Sequence, residues 1–159
     1  MKRTLRLWRA DAHFHYEPRR PRALALRMIT NPSLVAALLF RLGSSRVAIV
    51  SVIARWLLIS GFSCDVGRGA QILGPIDLPH PVGVVIGRGA IIRGRARIYQ
   101  NVTIGSSRKG EYPIVMNDVA IYPNAVIAGD VEVLDHTTVG ANVLLTRSTV
   151  SGETVRYPG

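Results

Sequence analysis

Cysteine is almost missing from this 159-residue chain: Cys64 stands alone, so no internal disulfide can form and a CxxC-type metal site lacks its second thiolate. A reducing, cytoplasmic setting is the expectation. Aromatic residues are sparse at 6%. Those near basic positions at the start (Trp8, Phe14, Tyr16) form no stacking module, so nucleic acid is not expected as a partner. Long apolar runs are absent too. The longest, Ser33 to Phe40 and Val47 to Ser60, are short or broken by Arg55, well under the roughly 18 residues a spanning helix needs. The start, Met1-Lys2-Arg3, leads into polar and charged residues, with no apolar stretch of a secretory signal.

Acidic residues are few, ten against twenty Lys and Arg. The imbalance is local: residues 1–60 hold eleven basic and two acidic side chains, and residues 61–159 nine and eight. A basic arm (1–60) on a nearly neutral body (61–159) is the expected division. Within the arm, Asn31 and Pro32 read as N-cap and first helical residue, with Gly43 as the stop, and a second helix runs from about Arg46 to Ser60. Residues before these helices, including His13 and His15, read as irregular. Arg41, Arg46 and Arg55 on apolar segments suggest a surface-lying amphipathic element. Its expected roles are a cap or oligomer contact, or peripheral contact with an anionic inner membrane.

What the body does have is a period of six. Val66, Ile72 and Leu78 begin it; Ile86, Ile92, Ile98 and Ile104 continue it; Val115, Ile121, Ile127, Val133, Val139 and Leu145 complete it. Four residues after most of these comes a small or β-branched one: Ala70, Ala90, Ala96, Val102, Val119, Ala125, Val131, Thr137 and Val143. Helical spacing of three and four does not fit, nor does long strict alternation. Three hexads per coil, stacked about 4.8 Å apart, give a mainly β parallel β-helix. Gly67, Gly87, Gly105, Gly129 and Gly140 are expected at its corners, where a side chain clashes or φ must be positive.

The register breaks twice. Two extra residues fall between Leu78 and Ile86, and five between Ile104 and Val115. The first predicts a bulge and the second a protruding loop. His80, fixed between Pro79 and Pro81 in the bulge, is held off the wall with a near-neutral side chain suited to a general base. A structural histidine in a tight turn is the alternative. Only His80 and His136 occur in the repeat body, on different registers, so a three-histidine metal centre is not expected.

Three segments, LPHPVGVVIG (78–87), IYQNVTIGSSRKGEYP (98–113) and VGANVLLTRSTV (139–150), resemble the hexapeptide-repeat acetyltransferases, and among them the serine O-acetyltransferases. The resemblance implies a left-handed parallel β-helix with a short N-terminal helical arm, a homotrimer, and acetyl transfer from acetyl-CoA to a hydroxyl without a metal. It places the catalytic base at His80 and its orienting carboxylate at Asp65. It further implies acceptor contacts at Glu111, Tyr112 and Arg108, with Lys109 nearby, and coenzyme contacts at Gly105, Ser106, Pro123, Ala141 and Arg147. Serine is the acceptor the family name implies, giving O-acetylserine for cysteine biosynthesis. Glu111, Tyr112 and Pro79 depart from the family pattern, in which an arginine, a histidine and an aspartate help to hold serine. Tyr122 and Pro123 replace small residues and narrow the coenzyme groove. The changes at Glu111, Tyr112 and Pro79 favour the alternative, a sugar hydroxyl of a surface polysaccharide or its precursor. A non-catalytic repeat scaffold is a third reading.

Overall fold

The structure, a computed structural model, describes residues 2–16, 30–108 and 110–157. Three helices, α1 (Lys2–Tyr16), α2 (Pro32–Gly43) and α3 (Ala48–Phe62), precede a parallel β-solenoid of about four turns. Its coils are β1 (Asp65–Val66), β2 (Gln71–Ile72) and β3 (Ile76–Asp77); β4 (Val85–Ile86), β5 (Ile91–Ile92) and β6 (Ala96–Ile98); β7 (Thr103–Gly105), β8 (Ile114–Val115) and β9 (Val119–Ile121); and β10 (Val126–Ala128), β11 (Glu132–Val133) and β12 (Thr138–Val139). Strands β13 (Leu144–Leu145) and β14 (Thr154–Val155) add a partial last coil. Successive coils stack into three sheets, β1-β4-β7-β10-β13, β2-β5-β8-β11 and β3-β6-β9-β12-β14, called here the first, second and third sheets.

The period of six is what builds this. Residues in register stack on one another, Val66 on Ile86, Ile86 on Ile104, Ile104 on Ile127 and Ile127 on Leu145, giving a ladder of aliphatic side chains inside the tube. All thirteen periodic residues are buried, as are all nine of the smaller ones four positions later. Neither break disturbs the stacking, because the extra residues leave the wall between strands: Asp65 pairs with Val85 across the first and Thr103 with Val126 across the second.

The corners differ from the expectation. Of the five glycines expected there, only Gly129 has a positive φ (100°); Gly67 is needed for close approach, since a Cβ would collide with the Arg88 backbone. Left-handed corners are mostly polar residues: Asn101, Asn124 and Asn142 between the third and first sheets, and Asp118 and His136 between the second and third. Asparagine tolerates this conformation because its short amide finds local partners. Here the partners are the next corners, with Asn101 Nδ2 donating to Asn124 Oδ1 (3.1 Å) and Asn124 Nδ2 to Asn142 Oδ1 (3.0 Å). Asn124→Val, which loses both bonds and forces a β-branched residue to φ 62°, is expected to lower the unfolding free energy by about 1–2 kcal/mol, with Asn124→Gly costing less; urea titration separates the two.

The helices close the upper end of the tube. α2 starts as its sequence predicts, with Asn31 Oδ1 accepting from Ser33 N at 2.8 Å, and α3 runs two residues beyond its expected end to a left-handed Ser63. Phe40, Ala36, Ala37 and Leu58 pack into the same core as the coils. Two expectations need correction. The segment before residue 16 is helical, not irregular, because Trp8, Asp11, Ala12 and His15 fall on one face and each has a partner. Trp8 donates to Leu34 O, and His15 Nδ1 lies 2.6 Å from Asp77 Oδ1. Arg41 is not a surface arginine. It is buried, paired with Asp11, and donates to Ile72 O and Gly74 O, the open backbone edge of the first coil. Asp11 also accepts from Ile76 N, and Ser44 O from Gly69 N. An exposed sheet edge must be paired or covered, and this polar cap covers it.

Candidate active site

The bulge that carries His80 is firmly anchored. Leu78 and Pro81 are buried on either side of it. Val82 N donates back to His80 O (2.8 Å), closing a tight three-residue turn, and Gly83 N donates to Phe62 O. Beneath it the Cys64 thiol donates to Pro81 O (3.5 Å) and accepts from Val84 N (3.3 Å). Burial pushes this thiol above its ordinary pKa, so it is a packing group and not a nucleophile. With the backbone pinned, the imidazole stands outward, exposed, at the corner between the third and first sheets.

Two aromatic rings share that corner. Tyr99 lies 6.4 Å from the His80 ring, and Tyr122 stacks on Tyr99 at 5.0 Å with 13° between planes. Tyr122 is 40% exposed. Pro123 and Ala141 follow on lower coils of the same edge, and the Gln100 side-chain oxygen beside Tyr99 is buried without a hydrogen-bond partner. Sequence reading noted Tyr122 only as a narrowing residue and missed the ladder. The signal was available: Tyr99 and Tyr122 are one coil plus the five-residue insertion apart, as are Asn101 and Asn124.

The second break forms the expected loop on the opposite edge of the first sheet. Tyr112 lies against Gly87 and Gly89, where no Cβ intervenes. Glu111 accepts from Ser107 Oγ (3.2 Å), and Arg108 is exposed. Lys109 lies outside the described residues. Gly105 and Ser106 lead into this loop, and Arg147 sits lower on the same edge, bound to Glu153 (Nη2 to Oε1, 2.5 Å). The site residues named from sequence therefore form two groups. His80, Pro123 and Ala141 line one edge of the first sheet; Gly105, Ser106, Arg108, Glu111, Tyr112 and Arg147 line the other. The strands of the first sheet, β1, β4, β7, β10 and β13, run between the two groups.

Asp65 has a different partner from the one expected. Its carboxylate accepts two hydrogen bonds from Arg55 of α3 (2.8 and 2.9 Å) and one from its own Val66 N. The Arg55 guanidinium holds that carboxyl below the usual carboxylate range, against a smaller opposing effect of partial burial. Among the described residues nothing hydrogen-bonds the His80 ring, so the Asp65–His80 contact is not made in the isolated chain. The other carboxylate near the bulge, Asp77, is shared by His15 and Arg97 (Nε to Oδ2, 2.7 Å). His80 and His136 occupy different corners, and the described residues contain no group of three His, Cys, Asp or Glu able to hold a metal.

Residues 112–147 match the family described as bacterial transferase hexapeptide (six repeats). A serine acetyltransferase from Synechococcus elongatus is 39% identical over 100 residues, covering 55% of this chain and 31% of the relative. A Buchnera aphidicola serine acetyltransferase is 35% identical over 91 residues, covering 55% and 35%. Among solved structures, native serine acetyltransferase 1 from Entamoeba histolytica superposes with a TM-score of 0.79 at 28% identity, over 97% of this chain and 63% of that one. The chain thus spans about a third of the length of these curated relatives. In repeat, fold and sequence the chain is similar to hexapeptide-repeat transferases, serine acetyltransferases among them.

Proposed function

We propose that the protein is an acetyl-CoA-dependent O-acetyltransferase acting on the hydroxyl of serine. The observation that carries this reading is the exposed His80 imidazole, fixed on a pinned bulge at one edge of the first sheet. His80 takes the proton of the acceptor hydroxyl as its oxygen attacks the acetyl carbonyl of the thioester. The C–S bond then breaks, and the imidazolium returns the proton to the departing thiolate. For Asp65 to orient the imidazolium, as the family resemblance implies, its carboxylate must be released from Arg55, which holds it by two hydrogen bonds.

Assembly means a second copy. The His80 edge and the loop edge flank the same sheet, whose outward residues include the exposed Val85 and Leu144. A homotrimer that lays the loop edge of one chain against the His80 edge of the next would bring Arg108, Glu111 and Tyr112 to the acceptor. The coenzyme then follows the groove between chains, with Pro123 and Ala141 from one, Gly105 and Ser106 from the other, and Arg147 near its phosphates. The narrow third-to-first corner, with no bulky side chain at Pro123 or Ala141, fits an extended pantetheine arm lying past the Tyr122 ring. A cytoplasmic location with peripheral membrane contact through residues 1–60 accords with the lone cysteine and the basic arm.

A sugar acceptor is the second reading. It is favoured by the Tyr99–Tyr122 stack beside His80, a flat apolar surface of the kind that receives a pyranose face, and by Glu111, which repels a carboxylate. Thiol release from acetyl-CoA, followed with L-serine and in parallel with nucleotide-sugar and oligosaccharide acceptors, decides between them. Saturable turnover with serine is the expected result. Turnover with a sugar and none with serine would move the assignment to polysaccharide acetylation, and none with any acceptor would leave a scaffold.

A further inference from the structure

Helix α3 is apolar on nearly every side, yet among the described residues only one side of it is covered. Ser51, Ala54 and Leu58 face the solenoid, whereas Ile49, Val52, Ile53, Trp56, Leu57 and Ile59 face outward, Trp56 at 71% exposure. A helix apolar all round is normally buried on all sides. At 15 residues, about 22 Å, α3 is too short to cross a bilayer, and no described helix is long and apolar enough to do so. The outer face therefore calls for a lateral partner.

Charge around the face identifies it. A concavity beside α3 is lined by Ser51, Val52, Arg55, Gly67, Arg68 and Arg88, and a second, near its start, includes Arg3 and Arg46. Arg55 is taken by Asp65, but Arg3, Arg46, Arg68 and Arg88 are exposed. Among the described residues before Asp65 the acidic one is Asp11, buried against Arg41. A second copy of the same face would set arginine against arginine, and among the described residues the carboxylate beside them, Asp65, is already taken by Arg55, whereas a self-complementary interface needs both signs on one patch. An anionic lipid surface meets both requirements: its acyl boundary takes the apolar side chains and its headgroups take the guanidinium groups.

We infer that α3 is a membrane-docking helix, lying in the plane of an anionic leaflet with Ile49, Ile53, Trp56 and Leu57 inserted and Arg46, Arg68 and Arg88 at headgroup level. The inference is independent of the acetyl-transfer reading. The test is flotation of the full chain with phosphatidylcholine vesicles, with and without phosphatidylglycerol, for the parent and an Ile53→Ser/Trp56→Ser variant. Both side chains point away from the core, so circular dichroism of the variant should match the parent. Expected are flotation with the anionic vesicles, weakening as salt is raised, and at least about tenfold lower partitioning of the variant. Failure to float with anionic vesicles, or equal flotation of the variant, would overturn the inference. So would a fall in the variant's native mass in lipid-free solution, which would assign the face to a second copy.

Discussion

His80→Ala is expected to lower kcat for acetyl transfer by about 10²- to 10⁴-fold while leaving the unfolding midpoint nearly unchanged. The size follows from what the residue supplies. Without a base, the acceptor must attack as a neutral hydroxyl or lose its proton to water, and the leaving thiolate loses its proton donor. The neutral effect on stability follows from the geometry. The bulge is held by buried Leu78 and Pro81, by Gly83 N on Phe62 O and by the Cys64 thiol, none of which involves the imidazole. Single-turnover thiol release and a urea titration on the same preparation read the two quantities. A variant as active as the parent would remove His80 as the base, and a large loss of stability would make it a structural turn residue.

The largest effect on stability is expected at the opposite end of the argument, in the cap. Asp11→Ala should reduce the unfolding free energy by about 3–5 kcal/mol, the usual cost of stripping a buried charge of its partner. Arg41 would then be left charged and buried, because a guanidinium does not shed its proton. Ile76 N would lose its acceptor at the same time. Arg41→Ala should cost less. Burial already pushes the Asp11 carboxyl upward, with Arg41 opposing it, so without Arg41 the carboxyl takes up a proton and the buried charge disappears. The order of the two variants in urea unfolding is the informative result, and equal effects would mean that solvent reaches the pair.

Both predictions rest on parts of the molecule that were unequally visible in the sequence. The bulge at His80 and the loop after Gly105 were legible as breaks in a count of six, since inserted residues must leave a wall whose strands stay in register. Asn31-Pro32 marked the start of α2 because the cap and the first helical residue are local demands. The Asp11–Arg41 pair was not legible. Arg41 on an apolar helix reads as a surface residue until the open edge of the first coil is placed beneath it, with Ile72 O and Gly74 O needing donors. Asp65 likewise lies fifteen residues before His80, a spacing that brings a carboxylate to the same coil. Which cation claims it depends on how α3 crosses β1, and Arg55 arrives first.

Sequence alone determined the solenoid, its three-sided coil, its two excursions and the histidine on the first of them, because a six-residue repeat of buried aliphatic positions admits few other packings. Only the tertiary structure decided which charges pair, that two tyrosines stack beside His80, that the named site residues fall on opposite edges of one sheet, and that α3 turns an apolar face to solvent. These depend on contacts between residues far apart in the chain, and such contacts are set by how helices seat on the first coil, which no local pattern encodes.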